Sequence, residues 1–315
     1  MTIGIFDGIH RGHMQLFNLT RELAADASGV PLIFTFHNHP LQLKDEGRPI
    51  KFITLPSEKV VLLRKLGFNH IACFDFDERF AKMRAGEFFA RLRSYISLRA
   101  LVAGYDASVG ADHVRSDESF GKLALEHGFE FMRVGAIAEG DAPISSRRIR
   151  ALLGEGNVSA ANELLVYPYF VRGKVEPGRG IGKSMVRVPT ANLLMPPEKL
   201  IPLEGVYAGS FYRDHRHYPT ALVVVPVDRK PSFLPSDKAI DPPHPIEPGT
   251  MLVEAHIIGE DISLYGRTVE FIFLQRLRAN QSFSSVEKLK EQISIDLAET
   301  IRVFEKSSLK LRFLP

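Results

Sequence analysis

The most informative part of the chain lies near its start and reads Gly4-Ile5-Phe6-Asp7-Gly8-Ile9-His10-Arg11-Gly12-His13. The segment Thr2–Phe6 is typical of a strand, and His13–Ala25 has the apolar spacing of an amphipathic helix. The start of a helix offers unpaired N–H groups and a positive dipole end to phosphate. Imidazoles at the same place can donate to phosphoryl oxygens and stabilise charge during transfer. The stretch therefore predicts a phosphate site at His10 and His13, and a turn with merely solvated histidines is the alternative.

A second stretch with related chemistry reads Ile144-Ser145-Ser146-Arg147-Arg148-Ile149-Arg150. Arginines near the start of a helix are unfavourable to the helix dipole unless an anion lies nearby. Hydroxyls, free backbone N–H groups and guanidinium groups together suit the β- and γ-phosphates of a nucleoside triphosphate. Alone, the stretch is more typical of a solvated helix face. Together with the two histidines, it predicts a nucleotide site.

The order of the predicted elements divides the chain into two halves. Strand–helix alternation in the first half indicates a parallel sheet, whose ligands bind beyond the carboxyl ends of the strands. The second half is rich in strands and ends in one helix over Ser284–Glu305. A domain boundary is expected near residue 165, and Pro226–Pro248 is predicted to be a long surface loop. The strands predicted for the second half are Tyr169–Val175, Gly205–Tyr212, His217–Val225, Thr250–Ile258 and Arg267–Leu274.

Composition limits the class of protein. The chain has 315 residues, enough for two domains of roughly 150 residues each. Its 40 basic and 37 acidic side chains give a net charge of +3, which is too balanced to indicate a nucleic-acid partner. Cys73 is the single cysteine, so a disulfide framework is excluded and a buried thiol is expected. No apolar stretch is long enough for a membrane span and no basic leader is visible, which predicts a cytoplasmic protein with no membrane partner.

A glycine-rich stretch in the second half, Gly178–Ser184, is similar to a P-loop but lacks two of its requirements. Position 177 is Pro177 instead of glycine, and the residues after Lys183-Ser184 do not have a helical pattern. A flap over phosphates remains physically sensible. It leads to Thr190 and Asn192, which lie two apart on an extended segment and offer two neutral oxygens to a cation. Read alone, that segment is more typical of a turn and the start of a strand.

The sequence resembles the bacterial bifunctional riboflavin kinase/FAD synthetases over essentially its whole length. The nucleotidyltransferase signature Phe-Asp-Gly-X-His-X-Gly-His lies at Phe6–His13, and Ser-Ser-X-X-Ile-Arg lies at Ser145–Arg150. The kinase motif Pro-Thr-Ala-Asn lies at Pro189–Asn192, and Glu-X-His lies at Glu254–His256. Where the family usually has Gly-X-Asp-Phe-X-Phe-Gly, the segment Gly104–Gly110 keeps the aspartate but neither phenylalanine.

The resemblance implies an α/β fold with two domains. Residues 1–165 would form a Rossmann-like nucleotidyltransferase with a parallel sheet, and residues 166–315 a riboflavin-kinase-like β-barrel with a C-terminal helix. The second domain would phosphorylate riboflavin to FMN with ATP and Mg²⁺. The first would transfer AMP from ATP to FMN, which gives FAD and pyrophosphate. The FMN phosphate is already an anion and needs no general base, which fits a site of His, Ser and Arg side chains.

The resemblance also assigns roles to particular residues. The implied catalytic residues are His10, His13, Arg148 and Glu254, the last as the base on the ribityl hydroxyl. Flavin contacts are implied at Asp106 and Arg278, and magnesium contacts at Thr190 and Asn192. ATP contacts are implied at Phe6, Asp7, Gly8, Gly12, Ser145, Ser146, Arg150, Gly180, Gly182, Lys183 and Thr190.

Two alternatives are kept. The first is an enzyme with adenylyltransferase activity only, whose second domain is a degenerate kinase that binds flavin or regulates. It is motivated by Arg187-Val188 in place of the Gly-Phe of the family and by Val224-Val225-Pro226 in place of Asn-Ile-Gly. The second is a metal-dependent hydrolase with ligands drawn from four histidines, although no Asp or Cys completes the set. Those histidines are His10, His13, His37 and His39.

Overall fold

The computed structural model describes residues 1–43, 50–176, 190–227, 250–260 and 264–311. The chain forms two compact units, Met1–Arg148 and Ile149–Pro315. The boundary expected near residue 165 lies at the end of a helix of the second unit, Val158–Leu164. Within the described ranges, none of the helices combines the length and the apolar character that crossing a lipid bilayer requires.

The first unit is built on a parallel five-stranded sheet in the order β3-β2-β1-β4-β5. The strands are β1 (Thr2–Ile3), β2 (Leu32–Phe36), β3 (His70–Phe74), β4 (Ala100–Gly104) and β5 (Glu130–Val134). The order of winding reverses between β1 and β4, and ligands of such sheets bind in the crevice at that point. The predicted α/β class is confirmed. The histidine stretch lies at the carboxyl end of β1, beside this reversal.

The connections of the first unit are mainly helical. The helices wholly within it are α1 (Arg11–Asp26), α2 (Pro56–Lys65), α3 (Glu78–Lys82), α4 (Ala85–Arg93) and α5 (Asp117–His127), and α6 (Ser146–Gly154) begins at its end. A 3₁₀ turn covers Pro40–Leu43, and a two-stranded hairpin consists of β6 (Ala138–Glu139) and β7 (Ala142–Pro143). The short helix α3 and the hairpin were not predicted. Helix α3 begins at Asp77, whose side chain accepts a hydrogen bond from the backbone N–H of Phe80 and so supplies the cap that its short apolar pattern does not reveal.

Phenylalanine dominates the core of the first unit, as expected for a chain with 22 Phe and no Trp. The ring centroids of Phe89 and Phe129 lie 4.9 Å apart, and those of Phe34 and Phe88 lie 5.2 Å apart in an edge arrangement. Such pairs add specific contacts to the burial of apolar area. Cys73 is only partly buried because it lies on β3, the edge strand, so the expectation of a buried core thiol is wrong.

The second unit is a closed antiparallel barrel in the order β10-β11-β12-β9-β8-β13. Its strands are β8 (Phe170–Glu176), β9 (Ala191–Leu194), β10 (Gly205–Arg213), β11 (Arg216–Pro226), β12 (Met251–Ile257) and β13 (Thr268–Arg278). Helix α7 (Val158–Leu164) precedes the barrel, and α8 (Val286–Leu311) follows it. The predicted barrel with a C-terminal helix is confirmed. Most of the predicted loop Pro226–Pro248 lies outside the described residues.

Gly110 provides a test of how the loop after β4 is held. Its φ of +77° is one that other residues rarely adopt, and an added Cβ would clash with the backbone nitrogen of Ala85 at the start of α4. We expect Gly110→Ala to lower the free energy of unfolding by at least about 2 kcal/mol, measured by urea titration. Gly121→Ala is the matched control, because a Cβ there meets nothing within 4 Å and alanine favours a helix, so this variant should stabilise slightly.

Candidate active site

The turn between β1 and α1 holds an unusual backbone conformation. Phe6 has a φ of 51° and Ile9 a φ of 33°, although neither is glycine, and Gly8 has a φ of 83°. Such angles persist only where the surroundings enforce them, and they occur often at functional sites. The enforcing group is the buried carboxylate of Asp7. It accepts hydrogen bonds from the backbone N–H groups of Ile53 at 3.2 Å and Thr54 at 2.9 Å.

The same segment also holds the glycine of the turn, because the N–H of Gly8 donates to the Thr54 hydroxyl at 2.9 Å. The turn is therefore fixed by hydrogen bonds to residues that lie just before α2. Ile53 had no signal in the sequence because it acts through its backbone N–H, and Thr54 was missed although its hydroxyl also contributes.

The two predicted histidines meet at the start of α1. Their rings stack with centroids 3.6 Å apart, and His10 is only 6% exposed. The backbone N–H of His10 donates to Nδ1 of His13 at 3.2 Å. Because Nδ1 of His13 accepts this bond, the proton of the neutral ring lies on Nε2. Nδ1 of His10 is buried and has no hydrogen-bond partner among the described residues.

Both imidazoles are held in the neutral form. Burial lowers the pKa of His10 to about 4, although Asp7 acts in the opposite direction. Burial, together with the charges of His10 and Lys59, holds the pKa of His13 well below its ordinary value. At neutral pH the pair therefore offers N–H donors without positive charge.

The second predicted motif lies against this turn. The hydroxyl of Ser146, the first residue of α6, donates to the backbone carbonyl of Asp7 at 2.8 Å. The hydroxyl of Ser145 accepts from the backbone N–H of Arg148 at 3.3 Å, which caps the same helix. The structure thus brings together two motifs that are far apart in the sequence, and the starts of α1 and α6 share one turn. Gly12 lies there too, since an added Cβ would be 3.6 Å from the carbonyl oxygen of Ile144.

The arginines of the second motif have different surroundings. Arg148 donates from Nη1 to the carbonyl oxygens of Glu139 at 3.0 Å and Ala142 at 2.9 Å, so it holds the β6–β7 hairpin. The Glu139 carboxylate also pairs with Arg11 at 2.8 Å. Arg150 lies further along α6, is half-buried, and belongs to the second compact unit. Its predicted contact with ATP stays a prediction.

The predicted flavin residue Asp106 lies two residues beyond the end of β4, at the same edge of the sheet as the histidine turn. Its loop is fixed by Arg133, which donates to the carbonyl oxygens of Gly104 at 2.8 Å and Arg115 at 2.5 Å. Tyr105 exposes nearly half of its surface at this edge. Burial and the charge of Asp106 raise its pKa, although Arg147 acts in the opposite direction. The sequence reasoning missed Tyr105 and Arg133.

In the second unit, two of the predicted residues lie opposite each other on neighbouring strands. Asn192 on β9 pairs with Glu254 on β12, and on its other side with Glu176 on β8. Directly paired residues have side chains on one face of a sheet. The neighbours Leu193 and Val253 are 0% exposed and fill the interior, so the row of Glu176, Asn192 and Glu254 lies on the outer face of the barrel. Asn192 is itself buried there.

Glu176 was not predicted, although a signal for it exists. On β8 the exposed Arg172 and Lys174 alternate with the buried Val171 and Val175, which places Glu176 on the outer face beside the predicted asparagine. Thr190 comes two residues before Asn192 and is half-buried. Gly180, Gly182 and Lys183 lie outside the described residues, as does Arg187-Val188.

Arg278 has a partner within its own unit. Its guanidinium binds the carboxylate of Asp296 through Nε at 2.9 Å and Nη2 at 2.6 Å, and both side chains are largely buried. This pair ties the end of β13 to α8. The predicted flavin contact of Arg278 stays a prediction, and Asp296 is a partner that sequence reasoning missed.

The histidines proposed for a hydrolase do not form a metal cluster. Across the described ranges, no group of three or more His, Cys, Asp or Glu side chains is arranged to hold a metal ion. The rings of His10 and His13 stack on each other, and Nδ1 of His39 accepts from the backbone N–H of Leu41 in its own turn. The geometry therefore gives the hydrolase hypothesis no support.

Comparison with known proteins agrees with the two-unit structure. The family described as FAD synthetase matches residues 1–148, and the family described as riboflavin kinase matches residues 165–304. The chain belongs to the bifunctional riboflavin kinase/FAD synthetase family. The Escherichia coli K12 bifunctional riboflavin kinase/FMN adenylyltransferase is 29% identical over 297 residues, which cover 94% of this chain and 90% of that protein. The Bacillus subtilis protein of the same name is 28% identical, with 96% of this chain and 92% of that protein covered.

A solved structure adds a comparison of the fold. It is a protein from Streptococcus pneumoniae described as a macrolide-efflux protein, with a TM-score of 0.80 and 28% sequence identity. The match covers 95% of this chain and 92% of that one.

The neutral histidines make the first unit sensitive to acid. Because the folded pKa of His10 is about 4 and lies below the ordinary value of 6.5, the unfolded chain binds more protons between these values. The contribution of this burial to the free energy of unfolding should therefore be complete above pH 6.5. The free energy of unfolding should fall by on the order of 3 kcal/mol as the pH is lowered to about 4. Urea titrations over this range measure the slope.

A His10→Gln variant should have a shallower slope, because glutamine does not titrate. His70→Gln, at an exposed position on the edge strand, serves as the matched control and should keep the slope of the parent chain. An unchanged slope in His10→Gln would contradict the burial argument.

Proposed function

We propose that the chain makes both flavin cofactors, phosphorylating riboflavin to FMN in its second unit and converting FMN to FAD in its first. The observation that carries the proposal is the junction of the two nucleotidyltransferase motifs, in which Ser146 binds the histidine turn through the carbonyl of Asp7. It is supported by the FAD synthetase match over residues 1–148 and the riboflavin kinase match over residues 165–304.

In the first unit, a phosphate oxygen of FMN attacks the α-phosphorus of ATP. The bond from that phosphorus to the bridging oxygen breaks, and pyrophosphate leaves. The nucleophile is already an anion, so the site needs donors and not a base. We assign the donors to Nε2 of His13, to His10, and to backbone N–H groups at the starts of α1 and α6.

The remaining ATP contacts proposed for this unit belong to the same turn and helix. We infer that Asp7 serves the site by shaping the turn, since its carboxylate is occupied by Ile53 and Thr54. Arg148 would contribute positive charge while it holds the hairpin. The full set is Phe6, Asp7, Gly8, Gly12, Ser145, Ser146, Arg148 and Arg150, with Asp106 proposed on the flavin side.

In the second unit, the ribityl hydroxyl of riboflavin attacks the γ-phosphorus of ATP, and ADP leaves. A hydroxyl must lose its proton during this step, and we assign its acceptance to the carboxylate of Glu254. Asn192 lies opposite Glu254 in the sheet, so the proposed magnesium-binding and proton-accepting groups are adjacent. Gly180, Gly182 and Lys183 are proposed to contact ATP, and Arg278 the flavin.

The oxygen atoms of Thr190, Asn192, Glu176 and Glu254 fit Mg²⁺. A hydroxyl, an amide oxygen and carboxylates are the hard oxygen ligands that this cation takes together with phosphate oxygens. We propose that Thr190 and Asn192 hold it, with Glu176 beside them. When bound, the cation neutralises charge on the transferring phosphates.

The histidine assignment is tested by His13→Ala. Removing one preorganised donor should lower kcat for FAD formation from added FMN and ATP by about a hundredfold to a thousandfold. The same preparation should phosphorylate riboflavin at the rate of the parent chain, which serves as an internal control for folding. Full FAD formation in this variant would contradict the assignment.

The carboxylate assignment is tested by Glu254→Gln, which keeps the size of the side chain but removes the base. FMN formation from riboflavin should fall by about a hundredfold to ten-thousandfold, while FAD formation from added FMN stays unchanged. Chromatography separates the three flavins. If the parent chain produced FAD from added FMN but no FMN from riboflavin, the adenylyltransferase-only alternative would replace the bifunctional proposal.

A further inference from the structure

Helix α2 carries a buried lysine that the proposed reactions do not use. Lys59 is only 2% exposed, and its ammonium group donates to the carbonyl oxygens of Ile5 at 2.9 Å and Phe36 at 2.6 Å. No feature of the sequence singles it out.

Those two carbonyls lie at one edge of the sheet. Ile5 comes immediately before the strained turn that begins at Phe6, and Phe36 is the last residue of β2. Lys59 therefore bridges the carboxyl ends of two adjacent parallel strands, at the edge where ligands of such sheets bind. Asp7 reaches back to Ile53 and Thr54, just before α2, so the turn is held to this helix from both sides.

Burial of an ammonium group is energetically unfavourable compared with burial of an apolar side chain of similar size. Transfer of a charge into the interior is unfavourable unless the charge is well bonded, and a methionine of similar length would fill the same volume. The nearby charged or titratable groups are Asp7 on the turn, His13 on α1 and Cys73 on β3. The position of the ammonium therefore points to a role for its charge.

The first site also needs positive charge. Two anions, ATP and FMN, must approach each other, yet His10 and His13 are both held neutral. The charge of Lys59 acts on His13 and helps to lower the pKa of that ring. A positive charge in a low-dielectric site has a far larger effect on a phosphate than one in water.

We propose that Lys59 is a positioning residue for adenylyl transfer, which fixes the histidine turn through the carbonyls of Ile5 and Phe36 and supplies a buried positive charge beside His13. The inference rests on the proposed conversion of FMN to FAD. Lys59 acts through the turn and its charge, without direct contact with substrate.

The test compares Lys59→Met and Lys59→Arg in the full chain. In Lys59→Met, kcat for FAD formation from FMN should fall about tenfold to a hundredfold, with a much smaller change in KM for ATP. Lys59→Arg keeps a charge and donors, so it should recover part of the loss. Riboflavin phosphorylation by the same preparations should be unchanged.

Lys199→Met is the matched control for the loss of a buried lysine. Lys199 is also 2% exposed but lies in the second unit, over the rings of Tyr169 and Phe170, so this variant should leave FAD formation unchanged. Thermal melting of each variant reports on folding.

The pH profile gives a readout that a purely structural role would not change. Burial lowers the pKa of Lys59 to about 8, although Cys73 and Asp7 act in the opposite direction, so the charge is present below pH 8 and lost above it. In the parent chain, kcat/KM for FAD formation, which reports on groups of the free protein, should fall above pH 8, and in Lys59→Arg this fall should move to higher pH.

Three results would overturn the inference. The first is FAD formation at the parent rate in Lys59→Met. The second is an equal loss of FAD formation and of riboflavin phosphorylation in both variants. The third is a fall in FAD formation at the same alkaline pH in Lys59→Arg as in the parent chain. If Lys59→Met does not fold, the profile of Lys59→Arg decides. Failure of the parent chain to make FAD would instead refute the proposed function, and this inference with it.

Discussion

The carboxylate of Asp7 is the group on which the first site depends. The turn around it holds Phe6 and Ile9 at positive φ, a conformation that neither residue adopts without constraint. The backbone N–H groups of Ile53 and Thr54 fix the carboxylate, and the Ser146 hydroxyl fixes the carbonyl of the same residue. One aspartate thus sets the distance between the helices α1 and α6, whose starts form the proposed phosphate site.

The two units use ATP with opposite electrostatic designs. The first places two neutral imidazoles at the start of α1, which suits a nucleophile that is already an anion. The second places Glu254 opposite Asn192 on the outer face of a barrel, which suits a hydroxyl that must lose a proton. The difference follows from the nucleophile, because the triphosphate is common to both reactions.

Much of the fold was predictable because it depends on periodic patterns. The alternation of strands and helices predicted the parallel sheet, and the β-branched segments predicted the barrel strands. The candidate site was predictable where a motif carries reactive side chains, since the structure brings the predicted His10 and His13 together, while their roles and that of Glu254 stay predictions. Groups that act through backbone atoms were missed. Arg133 and Lys59 bind main-chain carbonyls, and a lysine in a helical pattern is normally solvent-exposed, so neither gives a signal until the strands are placed.

The bond between Ser146 and Asp7 joins residues that are 139 positions apart. The central strand β1 likewise pairs with β4, whose residues follow it by about a hundred positions. Contacts between such distant parts of a chain form slowly, because a large loop must close before they contribute. The junction between the histidine turn and the start of α6 can therefore form only after nearly the whole unit has been synthesised. Adenylyl transfer is on this view the last property that the first unit acquires as it folds.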